Sequence, residues 1–305
     1  MKAEFHSAIN ALSQHIIGKP EQIKLAITCL LANGHLLIED LPGMGKTTLS
    51  HALASVFGLE FSRIQFTSDL LPADMLGVNI FNAQKQAFQF QPGPVFNQLV
   101  LADEINRASP KTQSALLEAM EEQQVSIDGV TYALPTPFFV IGTQNPSHQA
   151  GTYPLPESQL DRFLMRISLG YPSWEAEKAM LNAGSQRNHS SLETVVAKET
   201  LLDMQQQVSQ LHCSDAVINY ILRLVNLSRD DSTYPHPLSP RASKALMQAA
   251  KAWAFLHDRR YVVPEDVQAT FTAVAEHRLR PTADAYHNEG ILSDQLLESV
   301  DPLAA

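Results

Sequence analysis

Short apolar runs bounded by turn residues recur through the first half of the chain, at 36–38, 61–66, 99–102, 138–142 and 163–169. Runs of this length predict buried strands. Helical spacing separates most of them, most clearly at 21–32, at 46–57 with Gly58 as its stop, and at 109–122. Strands alternating with helices imply an α/β unit, a largely parallel sheet in three layers, ending near Gly170.

From Ser173 onward the strand pattern gives way to helical spacing at 174–183, 198–211, 215–228, 240–257 and 264–275. The chain thus divides into a sheet domain, 1–170, and a smaller all-helical domain, 171–305, with a weakly patterned tail from Pro281 to Ala305. Ser239 followed by Pro240, and Pro264 followed by Glu265 and Asp266, mark helix starts, because a hydroxyl cap, a proline in the first turn and early acids all suit a helix N-terminus. Two stretches inside the sheet domain read as insertions. Residues 70–91 hold a short acid-bearing helix followed by alternation, and residues 123–137 hold a hairpin turning at Asp128-Gly129. Such hairpins are either decoration or the parts that touch a substrate.

Composition narrows the class. The 305 residues are 45% hydrophobic and 18% charged, as in a folded globular protein with room for two cores. The N-terminus has no signal-peptide pattern and no apolar run is long enough to span a bilayer, so the cytoplasm is the expected location. A formal charge of -10 opposes nonspecific binding to nucleic acid, so nucleic acid is not the expected partner. Cys29, in an apolar run, and Cys213 lack neighbours at metal-ligand spacing and read as structural.

The chemistry begins after the first strand, at Glu39-Asp40-Leu41-Pro42-Gly43-Met44-Gly45-Lys46-Thr47-Thr48. A glycine-rich loop between strand and helix cradles phosphates: Gly43 and Gly45 turn backbone N–H groups toward the anion, Lys46 reaches the β and γ phosphates, and Thr47 is placed to ligate Mg²⁺. The strict pattern of this loop has glycine where Asp40 stands. Aspartate tolerates left-handed backbone angles, and its carboxylate is expected to point away from the phosphates. The strand 99–102 delivers Asp103 and Glu104 at its C-terminal end, where ligands collect in parallel sheets. Asp103 suits the Mg²⁺ water shell, and Glu104 suits the polarisation of an attacking water. The next strand ends at Asn145, whose amide can hold that water and the γ phosphate. Arg162 and Arg241 are available to neutralise charge on a transferring phosphate, or serve as surface ion-pair residues.

The segments LPGMGKTT, LADEINRASPKTQSALLEAMEE, IGTQNP, GTYPLPESQLDRF and SPRASKALMQAAKAWA together resemble the MoxR family of AAA+ ATPases, over residues 16–279. The resemblance implies that the loop from Pro42 through Gly43, Met44, Gly45, Lys46 and Thr47 to Thr48 is Walker A, that Asp103 and Glu104 form Walker B, and that Asn145 is sensor 1. It implies Arg162 as the arginine finger, with Arg107 and Arg166 as other candidates near the subunit edge, and Arg241 as the sensor 2 arginine. Ile17 and Gly18 match the stretch flanking adenine, and the insertions match the helix-2 insert and pre-sensor hairpin.

ATP and Mg²⁺ follow as cofactors, and a homo-oligomeric ring, a hexamer, follows as the assembly. A finger acting on the neighbour's nucleotide, worth about 10³- to 10⁵-fold in rate, makes assembly a condition of turnover. The implied work is chaperone-like remodelling of a partner, commonly a von Willebrand factor A domain protein. A nucleotide switch without motor action and an MCM-like nucleic-acid motor are the alternatives, the second opposed by a pre-sensor hairpin without lysine or arginine.

Overall fold

The computed structural model describes residues 2–145, 152–182, 192–231, 233–279 and 291–302. The five apolar runs become β1 (Leu36–Glu39), β2 (Phe61–Gln65), β5 (Leu99–Asp103), β8 (Phe139–Gln144) and β9 (Met165–Ile167), a parallel sheet in the order β2-β5-β8-β1-β9. Leu36 faces Ile141 and Met165 across the sheet, and Ala102 faces Gly142, so the C-terminal ends of β1, β5 and β8 lie side by side. Gly142 is needed at that crossing, since a Cβ there would lie 2.9 Å from the Phe163 ring.

Helices cover both faces. On one lie α1 (Lys2–His15), α2 (Pro20–Leu31) and α3 (Lys46–Val56), and on the other lies α5 (Pro110–Glu122). The helix α1 carries no strong sequence pattern and was not expected. Phe5, Ala8 and Leu12 bury one narrow stripe of it, and Phe5 meets Phe255 edge-on at 5.6 Å. The short α6 (Glu157–Leu160) lies between β8 and β9, and after the sheet come α7 (Trp174–Asn182), α8 (Lys198–Ser209), α9 (Asp215–Asp230), α10 (Pro240–Leu256) and α11 (Pro264–Leu279). Ser239 caps α10 by accepting from the Ala242 N–H. The tail holds a further short helix, α12 (Leu292–Glu298), where the pattern was weak, while 280–290 and 303–305 lie outside the described residues.

The apolar core runs on past residue 170. One cluster joins Leu36, Ile38 and Leu101 of the sheet to Leu30 of α2, Leu201 of α8, Leu246 of α10 and Val274 of α11. The edge strand β9 packs against α11, whose buried Arg278 donates to the carbonyls of Phe163 at 2.8 Å and Leu164 at 3.2 Å, the two residues just before the strand.

The two insertions are hairpins that touch. The first is α4 (Pro72–Leu76) followed by β3 (Gly77–Asn82) and β4 (Ala87–Pro92); the second pairs β6 (Gln124–Ile127) with β7 (Val130–Ala133). Asp128 and Gly129 both have positive φ, as a two-residue primed turn requires. Phe90 stacks on Tyr132 with ring centroids 4.0 Å apart, and Asn79 Nδ2 donates to Asp128 Oδ2 at 2.7 Å. At the outer end Phe81 and Phe88 pack edge to face, both more than half exposed.

Candidate nucleotide site

The loop between β1 and α3 opens onto a cleft of about 650 Å³ at the C-terminal ends of β1, β5 and β8. Gly43 and Gly45 both take left-handed backbone angles, with φ of 84° and 89°, and no atom lies where a Cβ would stand. An open, glycine-lined loop at a helix start is suited to an anion. Lys46 is buried, and its Nζ donates to the Asp40 carbonyl at 2.7 Å and to Asn145 Oδ1 at 3.2 Å. Burial pulls the Lys46 ammonium below its ordinary pKa, and the charges of Asp40, Asp103, Glu104 and Glu39 oppose that pull.

The acids are held as a unit. The Thr143 hydroxyl donates to Asp103 Oδ1 at 2.6 Å and accepts from the Glu104 N–H at 2.8 Å. Arg63, on β2, donates to Asp103 Oδ2 at 2.6 Å. Glu104 has left-handed angles at the end of β5, which swings its side chain into the cleft. Asn145 Nδ2 donates to Glu104 Oε1 at 3.1 Å, and Gln65 Nε2 donates to Glu104 Oε2 at 2.9 Å. Arg107 pairs with the same oxygen at 3.2 Å. A lysine, an amide and two carboxylates thus converge on one cleft, where positive charge can meet a phosphate and a carboxylate can orient a water.

A family model described as the ATPase family associated with various cellular activities matches residues 35–165, and one for the AAA lid domain matches residues 229–299. The chain is 46% identical to the protein YeaC of Bacillus subtilis, over 96% of this chain and 92% of that one. It is 38% identical to the chaperone MoxR1 of Mycobacterium tuberculosis, over 98% of this chain and 83% of that protein. A crystal structure from Cytophaga hutchinsonii superposes with a TM-score of 0.88 at 36% identity, covering 98% of this chain and 95% of its own. The chain belongs to the MoxR family of AAA+ ATPases.

Within that family frame the residues expected from sequence fall into two groups. Pro42, Gly43, Gly45, Lys46, Thr47, Thr48, Asp103, Glu104 and Asn145 line the cleft, and Met44 lies within the same loop. Ile17 and Gly18 stand apart from it, in the turn between α1 and α2. A Cβ on Gly18 would lie 3.0 Å from Ala176 of α7. Arg162 and Arg241 also lie outside the cleft lining, and both pair with Glu121 in the last turn of α5.

Two expectations need correction. Asp40 is not among the residues with positive φ. Its place is earned by its carboxylate, which accepts from Ser168 Oγ at 2.8 Å and from the N–H groups of Leu169 at 2.5 Å and Gly170 at 3.2 Å. A glycine there could not tie the loop to the end of β9. Arg166 does not present a surface guanidinium: it is buried in β9 and pairs with Glu39 at 2.9 Å. Arg107, by contrast, lines the chain's own cleft.

Arg63, Gln65 and Thr143 were missed in the sequence, because a single polar residue in or beside an apolar strand has no spacing that marks its role, even where, as with Thr143, it lies within the IGTQNP segment. The parallel register brings them together: Arg63 and Gln65 stand opposite Leu101 and Asp103 of β5, and Thr143 follows Gly142, which stands opposite Ala102. Burial pushes both the Cys29 and Cys213 thiols up, against thiolate formation. Among the described residues no group of three or more His, Cys, Asp or Glu could hold a metal by itself, and no helix is long and apolar enough to cross a membrane.

Proposed function

We propose that this chain hydrolyses ATP at sites shared between copies in a hexameric ring, and uses the cycle to remodel a partner protein. One observation carries the reading: Lys46, Asn145 and Glu104 are hydrogen-bonded in series, with Asp103 tied to Glu104 through Thr143. Lys46 neutralises the β and γ phosphates, and Glu104 polarises the attacking water while Asn145 holds it. The donor set fits Mg²⁺ carried by the nucleotide, since one hydroxyl and one carboxylate suit a cation that takes its remaining ligands from phosphate and water. Thr47 and Asp103 are those donors, and the bound ion supplies charge neutralisation at the phosphate oxygens. Ile17 and Gly18 flank the adenine.

Arg162 and Arg241 lie off the chain's own cleft, which suits action on a neighbour's γ phosphate. Residues 1–170 serve as the nucleotide-binding domain and 171–305 as the lid, in the cytoplasm. Support for a protein client comes from the relative named a chaperone and from the joined hairpins, whose outer face is apolar. Residues 77–92 and 124–133 carry one lysine, Lys85, and no arginine, which is poor equipment for phosphate backbones. A von Willebrand factor A domain protein is the client class proposed.

The test is steady-state ATPase activity per subunit across a wide protein concentration range, with Mg²⁺ and without nucleic acid. Specific activity rising steeply with concentration, in step with assembly seen by sedimentation, is the expected result. Full activity in a species shown to be monomeric overturns the shared-site reading.

A further inference from the structure

The cluster around Glu121 does something that neither motif nor cleft explains. Three elements meet there: the last turn of α5 brings Glu121, the segment between α6 and β9 brings Arg162, and the first turn of α10 brings Arg241. Arg162 reaches Glu121 Oε2 at 2.9 Å, and Arg241 takes Oε1. One half-exposed carboxylate therefore holds two half-exposed guanidiniums, one from the sheet side and one from the helical side.

The neighbouring charges are already settled. Asp161 accepts from Arg278 Nε at 2.7 Å and from the Ser239 hydroxyl at 3.1 Å. Arg278 spends its remaining donors on backbone carbonyls. Arg241 approaches Asp161 only at 3.9 Å, so Glu121 is the principal counter-ion of both Arg162 and Arg241. The match is incomplete: Arg162 Nε is buried without a partner among the described residues. Two forked guanidiniums present more donors than one carboxylate accepts, and a terminal phosphate offers three oxygens and more charge.

We propose that Glu121 is a positioning residue: an internal stand-in for phosphate that holds Arg162 and Arg241 side by side until the γ phosphate on a neighbouring copy displaces it. This rests on the reading that the two arginines act across a subunit interface. The displacement has an address within the chain. Glu121 lies just before Gln123, the left-handed residue that ends α5, and Gln123 leads directly into β6. The Gln123 carbonyl also accepts from the Leu134 N–H at the far end of β7. Release of Glu121 is thereby felt at both legs of the second hairpin.

The test compares wild type with Glu121→Gln and Glu121→Ala in two readouts. The first is the protein concentration giving half of maximal specific ATPase activity. The second is the ATP concentration that drives assembly of chains also carrying Glu104→Gln, followed by sedimentation. Removing the competing charge should lower both thresholds by about fivefold, the scale of a half-exposed ion pair. Thresholds that stay put or rise, in proteins whose melting temperature matches wild type, overturn the proposal. Agreement between the Gln and Ala variants guards against a misfolded single variant. Arg162→Ala separates the two levels: if it turns over normally, the shared-site reading fails whatever Glu121 does. If it is inactive while the Glu121 variants are unshifted, only the role of Glu121 fails.

Discussion

Thr143 has one hydroxyl and serves two acids, donating to Asp103 and accepting from Glu104. Its replacement by valine keeps the shape and leaves a buried carboxylate oxygen and an N–H without partners, which costs about 1–3 kcal/mol for each such group. Thr143→Val should lower the urea midpoint and ATPase activity together, while Thr143→Ser should retain both; equal behaviour of the two variants would remove the hydroxyl from its role. Glu104→Gln tests the chemistry itself. It should reduce turnover by about 10²- to 10⁴-fold, the range for a positioned proton acceptor, while binding of a fluorescent ATP analogue persists. Lys46, Asp103, Glu104 and Asn145 were legible because loop, acid pair and amide follow strands in a known order. Thr143 was not, since a threonine in an apolar strand reads as an ordinary strand former.

At the scale of elements, the alternation and turn at 123–137 foretold a hairpin, and the alternation after Leu70 foretold another. That the two lean on each other was invisible, because the stack of Phe90 on Tyr132 joins positions set by two separate insertions. Tyr132→Ala should cost about 0.5–1.5 kcal/mol beyond the area lost, the worth of an aromatic pair. Hydrogen exchange should then quicken in β3 and β4 as well as in β7. Exchange confined to β7 would mean that the hairpins move independently. The helix α1 escaped the sequence pattern because its buried stripe is narrow, and α12 because a short helix lacks the length to show a period.

For the molecule as a whole, two buried histidines set a pH limit. The His35 ring accepts from the Val140 N–H through Nδ1, and its Nε2 faces the Met120 carbonyl. Burial holds His35 down to about 4, against the weaker opposing bond to Met120. Burial, with the nearby charges of Arg278 and Arg166, holds His277 well below its usual value. Unfolded, both would bind a proton near pH 6.5; folded, they resist it. Stability is therefore fully present above pH 6.5 and falls as pH drops through the window down to about 4, by about 1.4 kcal/mol per pH unit for each proton withheld. Urea midpoints measured between pH 7 and 5 should show that slope, and His35→Asn should flatten it; an unchanged slope would absolve His35. Assembly has its own test at this scale. Mixing Arg162→Ala with Glu104→Gln chains, each inactive alone, should restore part of the turnover, and failure in mixed rings that demonstrably form would place the finger elsewhere.

Local chemistry and periodicity were enough to determine the α/β sheet, the helical part, the phosphate loop and the acids at the strand end, because each depends on residues near one another in the chain. Gly43, Gly45 and Lys46 need only the strand before them and the helix after. The long-range partnerships were decided by tertiary structure alone: Asp40 with the end of β9, Arg63 with Asp103, Arg278 with the Phe163 carbonyl ahead of β9, and Arg162 with Arg241 on Glu121. Each of these joins residues far apart in sequence through sheet order and helix packing, and a side chain that meets its partner only after the chain has folded leaves no period and no spacing to read.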